Sequence, residues 1–367
     1  MGRHLKTGLN HKPWVFKLAP YPDELLSSFL IRTAHAHGVS PHRFCRAFIP
    51  GVQIWTRDID VSAAESTLSH IATQTGLSAA SLREMTLPPM ISGVDAPPRY
   101  RSSIGWINAI GIYHRVRTRF GLQYCPHCLA TEPAFLRSWR LSFVVACAKH
   151  GCYLLDRCMS CQRPIAQHRQ GFDITKCYHC GASLSRVVSG PSMLDVGLNH
   201  ALEVQHIFQN WAARTAVAIG DITATREQFF AGAMLIMQVM KEKMRSHAQL
   251  RAGNWCDSES SMQLRFAKRM TRTQLCSDVY QIVAEWPVNF LHFASASGMT
   301  QAAFNHHGGV PFWLGSVVAQ LPARLRPRHT VSLREVTRQI QSIEAFGGEQ
   351  CRARRAQALI KAAAARI

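Results

Sequence analysis

In ACAKHGCYLLDRCMSC, residues 146–161, four cysteines and one histidine fall within sixteen positions. Thiols and an imidazole at such density can close disulfides, work as a redox pair, or hold a metal. A wider window repeats a two-residue ligand spacing four times, at Cys125/Cys128, Cys147/His150, Cys158/Cys161 and Cys177/Cys180. A tight C-x-x-C turn aims two sulfurs at one point, and zinc takes four ligands in a tetrahedron, so two such turns complete one site. Between Cys128 and Cys147 lie 18 residues, and between Cys161 and Cys177 lie 15, near the separations of paired knuckles in a zinc ribbon. Sequential pairing predicts a first site of Cys125, Cys128, Cys147 and His150 and a second of Cys158, Cys161, Cys177 and Cys180, with two Zn2+ per chain. Each set of four closes its site and leaves no position for water, so the expected role is structural. Cys152 could replace His150 in the first site, but it would make a four-residue gap after Cys147 and break the spacing seen elsewhere, so it is expected to be a packed thiol. His127 and His179, inside their knuckles, are expected to face solvent or stand behind the ligands.

The whole chain supports the metal reading over disulfides. Its 367 residues are enough to bury a large core without covalent staples. The N-terminus is basic and lacks the apolar run of a signal peptide, and no stretch reaches the roughly 18 apolar residues that cross a membrane. The expected compartment is the cytoplasm, where the 12 cysteines stay reduced. The formal charge is +20, and 33 of the 42 basic residues are arginine. Arginine grips phosphate oxygens through a planar fork that lysine lacks, so a polyanion, DNA or RNA, is the expected partner.

Positioning such a partner calls for helices, and their punctuation is visible. In LIRTAHAHGVSPHRF, Leu26, Phe29, Leu30 and Ala34 fall on one helical face, Gly38 can take the left-handed C-cap conformation, and Ser40 can cap the next helix. The pattern Ala, three residues, Gly, apolar residue, Ser or Thr recurs at Ala72–Ser78 and Ala294–Thr300. Apolar anchors follow at one offset, Phe44, Leu82 and Phe304. Three helix-turn-helix-like hairpins are predicted. The first offers Ser40, His42, Arg43 and Arg46 to nucleic acid, and Arg137 and Arg140 in LRSWR beside the first metal site are further candidates. Helices are expected over 198–218, 226–250, 271–286, 311–321 and 331–345, with 235–240 in the core and a basic helix over 351–367. Pro/Gly-rich punctuation at 88–103 and 190–197 divides the chain into an N-terminal helical domain (1–95), a tandem zinc-binding region (100–188) and a C-terminal helical domain (191–367). The fold class expected is mainly α, with helix-turn-helix-like helical domains flanking a tandem zinc-ribbon segment.

Catalytic signatures are missing from the sequence: there is no Gly-Lys P-loop, no H-E-x-x-H and no G-x-S-x-G. A binding protein is therefore expected rather than an enzyme. PYPDELLSSFLIRTAHAHG, followed by CPHCL, LRSWRLSFVVACAKHG, LLDRCMSC and CYHCG, resembles the TniQ family of transposon target-selection proteins, over residues 19–185. The C-terminal half is similar only in being helical with a helix-turn-helix-like turn. The resemblance implies a non-enzymatic adaptor that binds a target, either DNA directly or a guide-RNA effector complex, and recruits an AAA+ ATPase regulator that brings the transposase. It also implies a bacterial, DNA-associated protein in which the eight Cys/His residues occupy the zinc-ligand motif. Self-association as a homodimer is a further option. The opposing reading is a zinc-containing, sequence-specific DNA-binding transcription regulator.

Overall fold

A computed structural model of the chain describes residues 13–87, 105–113, 116–117, 119–169, 173–186, 196–251, 269–306 and 309–323. The expected linker at 88–103, the helix at 331–345 and the basic tail lie outside the described residues, as does most of 190–197.

The N-terminal part is a stack of short helices. Helix α1 (Leu26–Ala36) turns at Gly38 into α2 (Pro41–Phe48), and α3 (Ile59–Ser62) leads to α4 (Glu65–Thr75) and α5 (Ala79–Glu84). After the Cys/His-rich segment come α7 (Val196–Ala213), α8 (Arg226–Arg251), α9 (Arg269–Ala284), α10 (Val288–Ala296), α11 (Gln301–Asn305) and α12 (Phe312–Val318). The small helix between these two groups, α6 (Pro126–Thr131), belongs to the first Cys/His cluster. The fold is thus mainly α, with helical groups on either side of a ribbon-like segment.

All three predicted hairpins form, for one physical reason. Gly38, Gly76 and Gly298 have φ of 67°, 80° and 60°, a conformation that costs glycine nothing and a side chain 1–2 kcal/mol or so. At the first and third turns the amide two residues past the C-cap (His37 or Ser297) reaches back to the alanine of the pattern, Val39 N–H to Ala34 O and Met299 N–H to Ala294 O, which closes a Schellman turn. At the second, Gly76 N–H bonds Ala72 O instead. The anchors Phe44, Leu82 and Phe304 are fully buried. Ser78 does cap its helix, accepting from Ser81 N–H at 2.9 Å. Ser40 and Thr300 stand at cap positions without a side-chain bond, so the capping expected of Ser40 is not made.

Strands among the described residues are confined to three two-stranded antiparallel pairs: β1 (Ile112–Tyr113) with β2 (Val116–Arg117), β3 (Ala146–Cys147) with β4 (Cys152–Tyr153), and a third that follows α7. The helix expected over 198–218 ends at Ala213, because Ala216–Ile219 is a strand (β5) paired with β6 (Ile222–Thr225) across a Gly220-Asp221 turn. Val217 and Ile219 are buried while Ala216 and Ala218 are exposed, the two-residue period of a half-buried strand. The Gly-Asp pair between alternating residues is the hairpin signal that could have found it.

One apolar core runs through both helical groups and the Cys/His segment. Trp106 is its junction: the ring packs on Phe143, Phe208 and Phe230, and its Nε1 donates to Phe230 O. In the predicted core stretch of α8, Leu235, Ile236, Met237, Val239 and Met240 are buried. Gly232 of the same helix admits the Trp313 ring so closely that a Cβ would stand 2.2 Å from it. No described helix is long and apolar enough to cross a membrane.

Candidate metal centre and nucleic-acid surface

The first cluster is built from one helical turn and one hairpin. Cys125 is the N-cap of α6 and Cys128 lies in its first turn, so helical geometry brings both sulfurs to one side. Cys147 ends β3 (Ala146–Cys147), which pairs with β4 (Cys152–Tyr153), and the turn between them, with Gly151 at φ 53°, carries His150. His150 Nδ1 lies 3.5 Å from Cys125 Sγ, 3.2 Å from Cys128 Sγ and 3.5 Å from Cys147 Sγ, and Cys128 and Cys147 are 3.7 Å apart.

The second cluster uses two matching knuckles. The Cys158 turn is closed by Gln162 N–H to Cys158 O and the Cys177 turn by Gly181 N–H to Cys177 O, with Gln162 and Gly181 both left-handed, at φ 59° and 72°. Cys158–Cys180 and Cys161–Cys177 are each 3.7 Å apart. Burial grades across the set: Cys158 and Cys177 are buried and Cys180 is exposed.

These distances fit a tetrahedral metal. With Zn–S near 2.3 Å and Zn–N near 2.0–2.1 Å, the edges of the tetrahedron come to about 3.8 Å between sulfurs and about 3.6 Å from sulfur to nitrogen. The donor atoms of each predicted set of four lie within 4.8 Å of one another, so each set could hold a metal ion. The electrostatics agree. Hydrogen bonding from Cys128 holds the Cys125 thiol down at about 6, while hydrogen bonding with Cys125 and then Cys147 pushes Cys128 up. In the second cluster the Ala182 backbone amide holds Cys180 at about 7 and burial pushes Cys177 up to about 12. Sulfurs this close share their charge unevenly, and a cation at the centre is what lets all of them ionise. Cys152, expected to be a packed thiol, is half-buried and puts its Sγ 3.7 Å from Cys125 Sγ, outside the group of four donors that could hold a metal together. The two histidines inside the knuckles lean on neighbours: His127 stacks on His150, and His179 meets Arg163.

The residues that anchor this segment were not legible as such. Gln205 of α7 works like a piece of strand, accepting from Val145 and Ala146 N–H and donating to Ala146 O beside β3. Arg272 of α9, fully buried, donates to Asn108 Oδ1, Ser142 O and Gln123 Oε1, and burial pulls it down to about 10. On the other side, Asp23 with φ 58° accepts from Arg137 Nε at 3.1 Å and Ser138 N–H at 3.0 Å, and Arg137 N–H returns to Asp23 O. Glu24, buried, receives Arg32 through two nitrogens and Ser28 Oγ. PYPDELL and LRSWR are therefore two halves of one internal joint.

That joint corrects part of the expected nucleic-acid set. Arg140 has no exposed surface and is held by Asp58, Asp60 and Asn108 O, so it offers nothing to a partner. Arg137 is half-buried on Asp23 and also donates to Glu84 O. Trp139 is core. Of the α2 candidates, Arg43 and Arg46 are exposed three residues apart, and Ser40 and His42 are half-buried. His42, Arg43 and Arg46 line a cleft of about 430 Å³ with Gln53, Trp55 and Thr56. Trp55 stacks on His168, which ties the cleft wall to the far side of the Cys/His segment.

The TniQ family model matches residues 15–154, which take in α1 through α6, β3 and β4, the Asp23–Arg137 joint and every donor of the first cluster. Over this region, which is less than half of its length, the chain is similar to the TniQ family. The second cluster and all helices after it lie outside the match. No curated protein matches the chain.

Proposed function

We propose that this chain is a non-catalytic adaptor that chooses where a transposon inserts, by binding target DNA or a guide-RNA effector complex and recruiting an AAA+ ATPase regulator and, through it, the transposase. The observation that carries the reading is the family match over residues 15–154, a stretch in which the helical hairpin and the first Cys/His cluster are locked together. In this reading both clusters hold Zn2+, two per chain, through Cys125, Cys128, Cys147 and His150 and through Cys158, Cys161, Cys177 and Cys180. Bound zinc supplies cross-linking of loop-rich chain rather than activation of water, since four protein ligands fill the tetrahedron. The expected division into 1–95, 100–188 and 191–367 becomes a division of labour, with a basic hairpin, a rigid centre and a C-terminal helical body. The net charge of +20 suits a DNA-associated protein. Arg43 and Arg46, with Ser40 and His42 beside them, are the proposed contact residues on α2.

Reconstituted transposition from the neighbouring transposase and ATPase, with and without this chain, is the test. The expected result is an insertion-site distribution that sharpens when the chain is added and a cleavage activity that never appears with the chain alone. An unchanged distribution, with specific binding to promoter DNA, would replace this reading with that of a transcription regulator.

A further inference from the structure

Beside the four donors of the first cluster, which all lie within 4.8 Å of one another, stands a fifth sulfur, that of Cys152. Three facts place Cys152 at the site. Its sulfur is 3.7 Å from Cys125 Sγ, the same separation as Cys128–Cys147 and as both sulfur pairs of the second cluster. That is the edge length of a zinc–thiolate tetrahedron, about 3.8 Å. In the β3/β4 pair Cys152 stands directly across from Cys147, and directly opposed residues of an antiparallel pair point their side chains to the same face. The hairpin that delivers Cys147 therefore delivers Cys152 with it. His150, by contrast, sits in the turn at the tip of this hairpin and reaches in through Nδ1 alone. The ligand set thus has a fixed part, Cys125, Cys128 and Cys147, and two candidates for the fourth position.

We propose that Cys152 is a reserve ligand of the first metal site, able to take the fourth coordination position when His150 leaves it. On exchange the Cys152 thiol loses its proton to solvent as its sulfur takes the place that Nδ1 vacates. The metal stays four-coordinate, and the ligand set passes from three thiolates to four. The reserve arises because the pairing register of a short hairpin fixes Cys147 and Cys152 together, whereas His150 stands in the turn between them, outside the pairing. This inference rests on the zinc reading of the first cluster.

Purified full-length protein with His150→Ala, Cys152→Ala and both substitutions, analysed for zinc and for Co2+ absorption, tests it. The wild type and each single variant are expected to hold two metals per chain and the double variant one, the second cluster serving as an internal control for folding. In Co2+-loaded His150→Ala the thiolate charge-transfer absorption from the first site should rise by about a third, from three thiolates to four. A single metal in His150→Ala, or loss of both metals or of helical circular dichroism in that variant, overturns the assignment, because a working reserve keeps the knuckle closed. Loss of a metal in Cys152→Ala while His150→Ala keeps two makes Cys152 the resident ligand and also overturns it. Two metals in the double variant would do so as well. A wild-type protein with no metal at the first site would instead defeat the zinc reading itself.

Discussion

Arg140 Nη2 lies 2.6 Å from Asp58 Oδ2, and the guanidinium has no exposed surface. Its other nitrogen reaches Asp60 Oδ2 at 3.5 Å, and Nε and Nη2 both donate to Asn108 O. One arginine from the Cys/His segment thus binds two carboxylates that approach from the N-terminal helices. Removing one partner of a buried pair leaves the other charge unmatched, so Arg140→Ala should cost roughly 3–5 kcal/mol. Chemical denaturation measures this, and Arg140→Lys should recover only part of the loss, since a single ammonium cannot reproduce the fork.

Asp60 sets a pH dependence. Burial, then the Asp58 carboxylate, pushes it up to about 6 despite Arg140 and the two bonds from Ser27. A carboxyl whose folded value is raised holds its proton more tightly when folded, so its contribution to stability is fully present below the unfolded value, near 4, and is lost as pH rises through about 6. The stability advantage of the wild type over Asp60→Asn should therefore shrink between about pH 4 and about pH 6. Thermal or denaturant midpoints of the two proteins at matched zinc would show it, and an advantage that grows with pH would contradict it.

The parts legible in the sequence are those fixed by near neighbours. A glycine that must be left-handed, an alanine that accepts the returning amide and an anchor at a set offset all lie within eleven residues of chain, so Gly38, Gly76 and Gly298 mark their hairpins. The donor pairs of both clusters are legible for the same reason. Arg140 and Asp58 are 82 positions apart. Arg272 and Gln123 are separated by 149. No local pattern tells a buried arginine from a phosphate-binding one, so LRSWR reads as a basic surface until its acids are seen. That Cys152 stands beside the site follows from strand register across a turn, which spacing from Cys147 alone does not encode.

Thiol reactivity should separate the cysteines once metal is removed. Cys180 is exposed and lowered to about 7 by the Ala182 amide, whereas burial raises Cys45 and Cys276 to about 12. The thiolate is the reacting form. Chelated protein treated briefly with an alkylating agent near neutral pH should carry the label at Cys180 first and at Cys45 and Cys276 last, as mapped by peptide mass. Zinc-loaded protein should protect Cys180, and equal labelling with and without metal would remove it from the ligand set.

Loss of a ligand and loss of a packed thiol should differ in kind. Cys158 is buried in the second cluster, so Cys158→Ala should release one metal and lower the melting temperature by the metal-coupled share of folding energy. Cys45→Ala should keep both metals and cost on the order of 1 kcal/mol. Metal analysis beside calorimetry distinguishes them, and equal melting temperatures with equal metal content would refute the second site.

The two arginines on α2 and Arg140 of LRSWR make opposite predictions about DNA. Arg43 and Arg46 are exposed on one helix beside the cleft that Trp55 lines, while Arg140 is sealed behind its carboxylates. Each phosphate contact that an arginine makes releases condensed counterions and steepens the fall of affinity with salt, by about 0.9 in the logarithmic slope. Replacing both Arg43 and Arg46 by alanine should weaken DNA binding at low salt and flatten that slope by about 2, with zinc content and melting temperature unchanged. Arg140→Met should lower stability and leave the slope of the surviving folded protein where it was. Titration of labelled duplex DNA over a series of salt concentrations reads both effects. A slope that is unmoved by the α2 substitutions would take the first hairpin off the DNA and turn its cleft toward a protein partner.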